Sequence, residues 1–308
     1  MKTISIVVPM FNEESNVEPF FAVLQQSLAA QAGQYDFEYL CINDGSRDAT
    51  LDRLLALKRG GLAIKIINFS RNFGKEAALT AGLDFAQGDA VIPIDADLQH
   101  PPDKIPEMLR LWEQGHAVVQ ARRTDRRHET LHKRGFSHAF YRLASAIFEM
   151  PMERDVGDFR LMDRKVVDAI RNMREKSRFM KGIFVWPGFE AVVIEYDVAP
   201  RHQGQSSFGF WKLCRFAVDG ITSFSILPLR LSTYLGLLVS LLAIGYGLYI
   251  LCKTVLLGVD VPGYASLMIV VLFLAGVQLV GIGVLGEYVG KIYQEVKNRP
   301  IYVVRDVF

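Results

Sequence analysis

Two aspartates separated by one residue, Asp95 and Asp97, end an apolar stretch of the chain that begins at residue 90. Side chains two residues apart on an extended segment point to the same side. Carboxylate oxygens are the hard ligands that Mg²⁺ and Mn²⁺ prefer. Such a pair also occurs as two solvated acids in a loop, but its position directly after a predicted buried strand favours a divalent metal site.

Polar clusters follow two other strand-like segments. Residues 9–14 read Pro-Met-Phe-Asn-Glu-Glu, and residues 43–46 read Asn-Asp-Gly-Ser. Neither the glycine pattern of dinucleotide-binding folds nor that of phosphate-binding loops follows any predicted strand. Acids therefore occupy the positions where glycines would bind phosphate, and acids need a divalent metal to hold a diphosphate. This pattern indicates a site for a metal-bound diphosphate.

The elements that position these clusters alternate regularly over residues 1–121. Strand-like segments are predicted at residues 4–9, 37–43, 64–68, 90–95 and 117–121. Helical periodicity is found at residues 17–30, 50–57, 75–86 and 102–114. This alternation predicts an α/β fold, with a mostly parallel sheet and helices on both faces. Ligands of such sheets bind at the carboxyl ends of the strands, where the polar clusters fall.

Charge is unevenly distributed along the chain, although the net charge is only +2 over 308 residues. Charged residues are frequent up to residue 230, whereas residues 233–252 and 261–286 contain none. At a rise of about 1.5 Å per residue, each segment can cross a hydrocarbon core of about 30 Å. Buried helices of a soluble protein are the alternative, but they seldom run so long without a charge. The two segments predict a transmembrane hairpin.

Basic residues lie mainly outside this hairpin. They are Arg215, Arg230, Lys291, Lys297, Arg299 and Arg305. The connecting loop contains Lys253. The positive-inside rule therefore predicts that both ends of the chain, and the N-terminal domain, are cytoplasmic. The start of the chain does not have the pattern of a signal peptide, and three widely spaced cysteines agree with a reducing compartment.

Apolar and polar side chains separate by helical spacing in residues 210–224. The apolar positions are Phe210, Leu213, Ala217, Ile221 and Phe224. The pattern is typical of a helix that lies in the membrane interface. A helix packed on the soluble domain is the alternative.

Taken in order, the polar clusters resemble the GT-A inverting glycosyltransferases of family 2. The resemblance rests on residues 7–14, 43–46, 70–76 and 95–99. The chain is most similar to the polyprenyl-phosphate glycosyltransferases, which include dolichol-phosphate mannose synthase. Residues 156–162 and 283–288 resemble the bacterial bactoprenol glucosyltransferases of O-antigen modification. The resemblance extends over essentially the whole chain, including the hairpin.

The resemblance implies a role for each matching residue. The nucleotide-sugar donor would contact Pro9, Asn12, Glu13, Asp44, Arg71, Lys75 and Asp95. Mg²⁺ or Mn²⁺ would be bound by Asp95, Asp97 and Gln99. The lipid phosphate would be bound by Arg122, Lys133, Arg134, Ser137, Arg201 and Ser206. Asp158 would be the catalytic residue, and Asp44 would accept a hydrogen bond from the base.

Some of these residues have a structural alternative. Arg71 and Lys75 could form ion pairs, the arginines after residue 121 could be solvated, and Asp158 could cap a helix. A general base is also little needed, because a phosphate monoester is largely dianionic at pH 7, with a second pKa of about 6. Asp158 could instead orient the acceptor or stabilise positive charge on the sugar.

The function implied by the resemblance is inverting transfer of one hexose from a UDP-sugar to undecaprenyl phosphate, giving UDP and a lipid-linked sugar. Overall similarity favours glucose, whereas N-acetylglucosamine, mannose and aminoarabinose transferases share these motifs. A processive polysaccharide synthase would need a QxxRW element and more spans, and the sequence has neither. A non-catalytic scaffold is disfavoured because Asp44, Asp95, Asp97 and Asp158 are all present.

The expected organisation is a multi-pass protein of the bacterial inner membrane. Residues 1–200 form a cytoplasmic GT-A domain, and residues 201–230 form the acceptor loop and interfacial helices. The hairpin comprises residues 231–290, and residues 291–308 form a cytoplasmic tail. The expected partners are the donor, the lipid acceptor, the bilayer and further copies of the chain in a tetramer, without nucleic acid.

Overall fold

The structure is a computed structural model that describes residues 1–124, 156–176, 178–197, 222, 225–257 and 263–308. The chain divides into two compact units. One unit comprises Met1–Ala217 together with Arg299–Phe308, and the other comprises Val218–Asn298. The described strands of the first unit form one eight-stranded sheet.

The strands are β1 (Lys2–Met10), β2 (Tyr35–Asn43), β3 (Ile64–Phe69), β4 (Ala90–Pro93), β5 (Val118–Arg123), β6 (Val156–Asp163), β7 (Ala191–Tyr196) and β8 (Val304–Val307). The helices of this unit are α1 (Val17–Leu28), α2 (Thr50–Arg59), α3 (Lys75–Phe85), α4 (Ile105–Glu113), α5 (Arg164–Asn172) and α6 (Met180–Val185). Short 3₁₀ turns, Ala29–Gln31 and Pro102–Lys104, follow α1 and precede α4. Each strand and helix predicted within residues 1–121 is present, with its ends shifted by three residues or fewer.

The sheet has the order β7-β5-β6-β4-β1-β2-β3-β8. Strand β1 pairs in parallel with β2 and β4, and β2 pairs in parallel with β3. These central strands are apolar on both faces because helices cover both sides, as expected for a parallel sheet. The predicted α/β class and the mostly parallel sheet are confirmed. The antiparallel strands β6 and β8 were not predicted.

Helix α1 shows why these segments are helical. Its buried residues recur every three or four positions, at Val17, Phe20, Phe21, Leu24 and Leu28. This spacing places them on one face, which packs in the core with the sheet. Burying one such side chain stabilises the fold by roughly 1.5–3 kcal/mol. This core includes side chains of β1 and β4, and it therefore fixes the strands whose carboxyl ends lead into the polar clusters.

The end of the chain returns to the sheet as β8, which pairs antiparallel with β3. The Asn68 side chain donates to the Asp306 carboxylate at 3.0 Å and accepts from the Asn43 side chain at 2.8 Å. The Tyr302 ring stacks on Phe69 with centroids 5.1 Å apart. Residues 291–308 were predicted as a tail, and the last part of that segment is an edge strand that adjoins the loop after β3.

The second unit contains α7 (Leu227–Leu257) and α8 (Tyr264–Val296). Each includes a 30-residue span whose mean hydropathy, 2.2 and 2.6 respectively, is high enough for a membrane helix. None of the described residues in these spans is buried, whereas the core helices of a soluble domain are mostly buried. The predicted apolar hairpin is confirmed. The predicted interfacial helix at residues 210–224 falls almost entirely outside the described residues.

Candidate active site

The carboxyl ends of β1 and β4 lie side by side. Strand β1 pairs with β4 along one of its edges and with β2 along the other, so the chain continues from β1 to β2 away from β4. This is the switch point at which open α/β sheets bind ligands. A cleft of about 320 Å³ opens there. Six predicted donor and metal residues line it: Pro9, Glu13, Asp44, Lys75, Asp95 and Asp97. Tertiary structure therefore brings together residues from four separate loops.

Asn12 connects two loops beside the cleft through its backbone and its side chain. Its φ of 56° is left-handed, a conformation that asparagine tolerates better than most residues. The Asn12 backbone N–H donates to Ser46 Oγ at 3.0 Å, and Asn12 Oδ1 accepts from the Arg47 N–H at 2.9 Å. These bonds tie the loop after β1 to the loop after β2. Asn12 is thus placed beside the predicted nucleoside pocket as a residue that shapes its loops.

Asp44 holds the loop that leads into α3. Its two carboxylate oxygens accept from the backbone N–H groups of Phe73 at 2.7 Å and Gly74 at 2.9 Å. Burial raises the pKa of Asp44, and these two N–H groups partly oppose that rise. Each oxygen retains a second lone pair, so Asp44 can still accept a hydrogen bond from a ligand in the cleft.

Gly45 lies against the same loop. Its φ is +64°, and a Cβ at this position would lie 2.3 Å from the Arg71 carbonyl carbon and 2.5 Å from the Asn72 nitrogen. Backbone atoms cannot yield as a flexible side chain can. The close approach of the two loops therefore requires glycine.

Gly45→Ala is expected to push the two loops apart and raise the Kd for UDP at least about tenfold, which corresponds to about 1.4 kcal/mol. Titration calorimetry with the purified protein measures this change. Gly61→Ala is the matched control, because Gly61 also has a positive φ, +98°, but no atom lies within 4 Å of its Cβ position. Equal UDP affinity in both variants would show that the contact does not shape the donor site.

Lys75 joins the two acidic parts of the site. Strand β6 runs antiparallel to β4, so its first residues lie beside the carboxyl end of β4. Lys75 Nζ is 2.7 Å from Asp95 Oδ1 and 2.8 Å from Asp158 Oδ2. Burial lowers the pKa of Lys75, but the two carboxylates outweigh it and the net shift is upward. Burial likewise raises the pKa of Asp158, but Lys75 outweighs it and the net shift is downward, so Asp158 is ionised near neutral pH.

Asp158 does not cap a helix, since it lies within β6. The helix cap is Asp163, whose side chain accepts from the Lys165 N–H. Strand β6 also contributes a residue that sequence reasoning missed. Arg160 is 3% exposed and donates to the Gly157 carbonyl at 2.7 Å. Burial lowers the pKa of Arg160 to about 10, although Asp158 opposes the shift.

His100 is a second residue that was missed, although it follows the Asp95–Gln99 motif directly. Its ring stacks on Phe159 with centroids 5.4 Å apart, and its Nδ1 lies 3.6 Å from Asp95 Oδ2. Burial lowers the pKa of His100, and Asp95 opposes that shift. The signal that could have found it is a histidine, a common metal ligand, directly after the Asp95–Gln99 motif.

The residues around Asp97 fit a divalent cation that is shared with a ligand. Glu13, Asp95 and Asp97 line the same cleft. Burial raises the pKa of Glu13; its hydrogen bond to Asn16 opposes the rise, and the negative charges of Asp97 and Asp95 add to it. Within the described ranges, no group of three or more His, Cys, Asp or Glu is arranged to hold a metal ion. Two carboxylates are enough, because protein-bound Mg²⁺ usually takes one or two carboxylates together with substrate phosphates. Gln99 donates its backbone N–H to Asp97 Oδ1 at 3.0 Å, which orients that carboxylate.

Arg71 and Arg122 make contacts within the protein. The Arg71 guanidinium lies 4.0 Å from the centre of the Phe73 ring and donates to the Asn72 carbonyl. Arg122 pairs with Glu195 at 2.5 Å on neighbouring strands. The remaining predicted lipid-phosphate residues lie outside the described residues: Lys133, Arg134, Ser137, Arg201 and Ser206.

Glu76, next to Lys75, gives stability a predictable pH dependence. Burial raises the pKa of Glu76 to about 7, and the Asp158 carboxylate adds to the rise. The ordinary value of 4.5 applies to the unfolded chain. Between these values the folded protein retains a proton that the unfolded chain releases. The stabilising contribution is therefore complete below pH 4.5 and is lost as the pH rises through 7.

Glu76→Gln is expected to raise Tm by a few degrees at pH 8 and by much less at pH 5, because 1 kcal/mol shifts Tm by about 2–4 °C in a domain of 150–250 residues. Thermal unfolding followed across this pH range measures the difference. Glu190→Gln, at an exposed position directly before β7, is the control and should leave the curve unchanged. If the Tm difference between Glu76→Gln and the original protein were the same at every pH, the raised pKa of Glu76 would be contradicted.

The chain is similar to known proteins in sequence and in fold. Residues 5–171 match the family described as Glycosyl transferase family 2, and residues 227–292 match the GtrB C-terminal hairpin. The chain is 51% identical over 305 residues to an uncharacterized glycosyltransferase of Synechocystis sp., covering 99% of this chain and 95% of that protein. It is 47% identical over 302 residues to the SfII prophage-derived bactoprenol glucosyl transferase of Shigella flexneri, covering 98% and 97%. Glucosyl-3-phosphoglycerate synthase of Mycobacterium tuberculosis, solved with Mn²⁺, UDP-glucose and phosphoglyceric acid, aligns at 19% identity and a TM-score of 0.46, covering 72% of this chain and 78% of that one.

Proposed function

The chain belongs to glycosyl transferase family 2 and ends in a GtrB C-terminal hairpin, so it is a glycosyltransferase, and we propose that it transfers glucose from UDP-glucose to undecaprenyl phosphate. The observation that carries this proposal is the meeting of Asp95, Asp97 and Asp158 at one edge of the sheet, in a chain with a membrane hairpin. Relatives at 45–47% identity are bactoprenol glucosyl transferases, which supports glucose and a polyprenyl acceptor.

The donor would lie in the cleft with its uracil near Asp44 and its diphosphate near Asp95 and Asp97. The divalent cation that these two residues would hold neutralises the charge that develops on the leaving diphosphate. Mg²⁺ or Mn²⁺ fits the oxygen ligands equally well. Pro9 and Glu13 would border the nucleoside, and the tie between the loops after β1 and β2 keeps that pocket in shape.

The acceptor phosphate would attack the anomeric carbon from the side opposite the diphosphate, which inverts that centre. At neutral pH this phosphate is largely dianionic and needs no base. Asp158 is ionised near neutral pH because Lys75 binds it. We therefore assign Asp158 the role of orienting the acceptor and stabilising positive charge on the sugar. The basic residues at 122, 133, 134 and 201 would bind the lipid phosphate, with Ser137 and Ser206 nearby.

The hairpin would place the enzyme in the bacterial inner membrane, with the catalytic domain in the cytoplasm, where nucleotide sugars are made. The bias of lysine and arginine toward the outer ends of the hairpin supports this orientation. The chain would act as a homo-oligomer, a tetramer by family resemblance. The product would be a lipid-linked glucose on the cytoplasmic leaflet.

A panel of radiolabelled nucleotide sugars tests the proposal. Membranes that contain the full-length protein are incubated with each sugar and with undecaprenyl phosphate, and label is counted in the extracted lipid. UDP-glucose is expected to give the strongest labelling, and membranes that contain Asp97→Ala should give none above background. Labelling only from UDP-N-acetylglucosamine, a mannose donor or an aminoarabinose donor would replace glucose with that sugar. No lipid labelling from any donor would overturn the reaction class.

A further inference from the structure

Lys75 binds two acids to which the proposed function gives different tasks. Its Nζ lies 2.7 Å and 2.8 Å from the two oxygens of Asp95, and 2.8 Å from Asp158 Oδ2. We infer that Lys75 is a resident counter-ion that keeps free divalent metal out of the site until the nucleotide sugar arrives. This inference rests on the proposed function and adds an order of events to it.

The contacts at Asp95 disfavour a second cation at that carboxylate. Both oxygens of this carboxylate are within hydrogen-bond distance of the same ammonium group. A divalent ion bound to either oxygen at 2.0–2.1 Å, the distance typical of Mg²⁺, would lie close to that positive charge. Free metal bound to Asp95 would therefore either be repelled by Lys75 or displace it, and the metal provides no new partner for the lysine. The diphosphate of a nucleotide does provide one, and it also gives the metal more oxygen ligands.

The position of Lys75 in its helix supports a task other than helix stability. Lys75 is the first residue of α3, and the amino end of a helix favours acidic residues. A lysine there is unfavourable for the helix by itself. Its backbone is placed by Asp44, which binds the N–H groups of Phe73 and Gly74 just before it. The loop that borders the cleft therefore ends at Lys75, whose ammonium group neutralises the proposed metal site.

The side chain of Lys75 has room to move between partners. It is 47% exposed and lines the cleft, whereas the side chains of Asp95 and Asp158 are only 24% and 19% exposed. The two acids are therefore held in place while the lysine can turn toward a diphosphate. When it turns, Asp158 loses part of its neutralising charge in the same step. Lys75 is a positioning residue that makes metal binding depend on the nucleotide.

Binding of Mn²⁺ to the purified full-length protein, followed by the electron paramagnetic resonance signal of the free ion, tests this inference without sugar or lipid. The original protein is expected to bind Mn²⁺ weakly alone and at least tenfold more tightly with UDP, a coupling within the usual range. Lys75→Gln should bind Mn²⁺ alone about tenfold more tightly than the original protein, and UDP should then add little. Lys58→Gln, on an exposed position of α2, should behave as the original protein does.

Lys75→Arg keeps the charge and should keep binding of Mn²⁺ alone weak. The inference would be overturned if the Lys75→Gln variant bound Mn²⁺ no more tightly than the original protein does. If Lys75→Gln does not fold, the original protein decides the matter, because equal affinity for Mn²⁺ with and without UDP would overturn the inference as well. A different sugar preference in the labelling panel would alter the proposed function and leave this result intact.

Discussion

Asp97→Ala is expected to lower the rate of sugar transfer by about 10²–10³-fold, because it removes half of the carboxylate pair that would bind the metal at the leaving diphosphate. EDTA should cause a comparable loss in the original protein, and added Mg²⁺ or Mn²⁺ should restore its activity. Metal should not rescue Asp97→Ala. Lipid labelling from UDP-glucose measures all of these rates.

Asp103→Ala is the control for this comparison. Asp103 follows the same loop but is exposed at the start of a 3₁₀ turn, so its loss removes a charge without touching the cleft. Its activity should match that of the original protein. Undiminished transfer in EDTA would remove the two-aspartate metal site from the mechanism, whatever the Asp97→Ala variant does.

Asp158→Asn is expected to lower kcat by about 10²-fold or more, as for residues that act directly on the reacting groups. The substitution keeps the size of the side chain but removes the charge that faces Lys75 and that, in the proposed function, would face the sugar. UDP affinity should change only a few-fold, because the nucleoside pocket is formed by the loops after β1 and β2. Comparison of kcat with the Kd for UDP separates these two effects.

The pH profile distinguishes the two tasks considered for Asp158. The pKa of Asp158 is lowered, since Lys75 outweighs the effect of burial, so the carboxylate is ionised throughout a neutral assay range. A rise of kcat near pH 6 should therefore follow ionisation of the acceptor phosphate and persist, at a lower level, in Asp158→Asn. Asp168→Asn, 53% exposed on α5, should show full activity. Loss of the pH-dependent rise in Asp158→Asn would instead identify Asp158 as the group that titrates.

The C-terminal strand shows how distant parts of the chain support the loops around the cleft. The Ser70 N–H donates to the Val303 carbonyl at 3.0 Å, and β8 pairs with β3 just before the loop that Asp44 holds. Asp306 also receives a hydrogen bond from Asn68, which binds Asn43 at the end of β2. The segment that follows the membrane hairpin is therefore part of the frame around the cleft. Four residues of strand carry no sequence signal strong enough to predict this pairing.

Local patterns in the sequence were sufficient to predict the secondary-structure elements and the Asp95–Asp97 half of the candidate site. The alternation of strand-like and helical periods predicted β1 to β5 and α1 to α4, because each pattern depends on residues that are neighbours in the chain. Asp95 and Asp97 were found for the same reason, since they directly follow the apolar strand that positions them. The uncharged segments predicted the hairpin through composition alone.

Only the tertiary structure revealed the other half of the candidate site, in which Lys75 contacts both Asp95 and Asp158. The contacts of Lys75 with Asp95 and Asp158 depend on the antiparallel register of β6 against β4, which involves segments far apart in the chain. A shift of that register by one residue would turn Asp158 to the other face of the sheet. The register is set by burial of Phe159 and Leu161 in the core, and that burial exists only once the whole sheet has formed. Sequence alone therefore identified the acids, whereas the folded sheet determined that one lysine binds two of them.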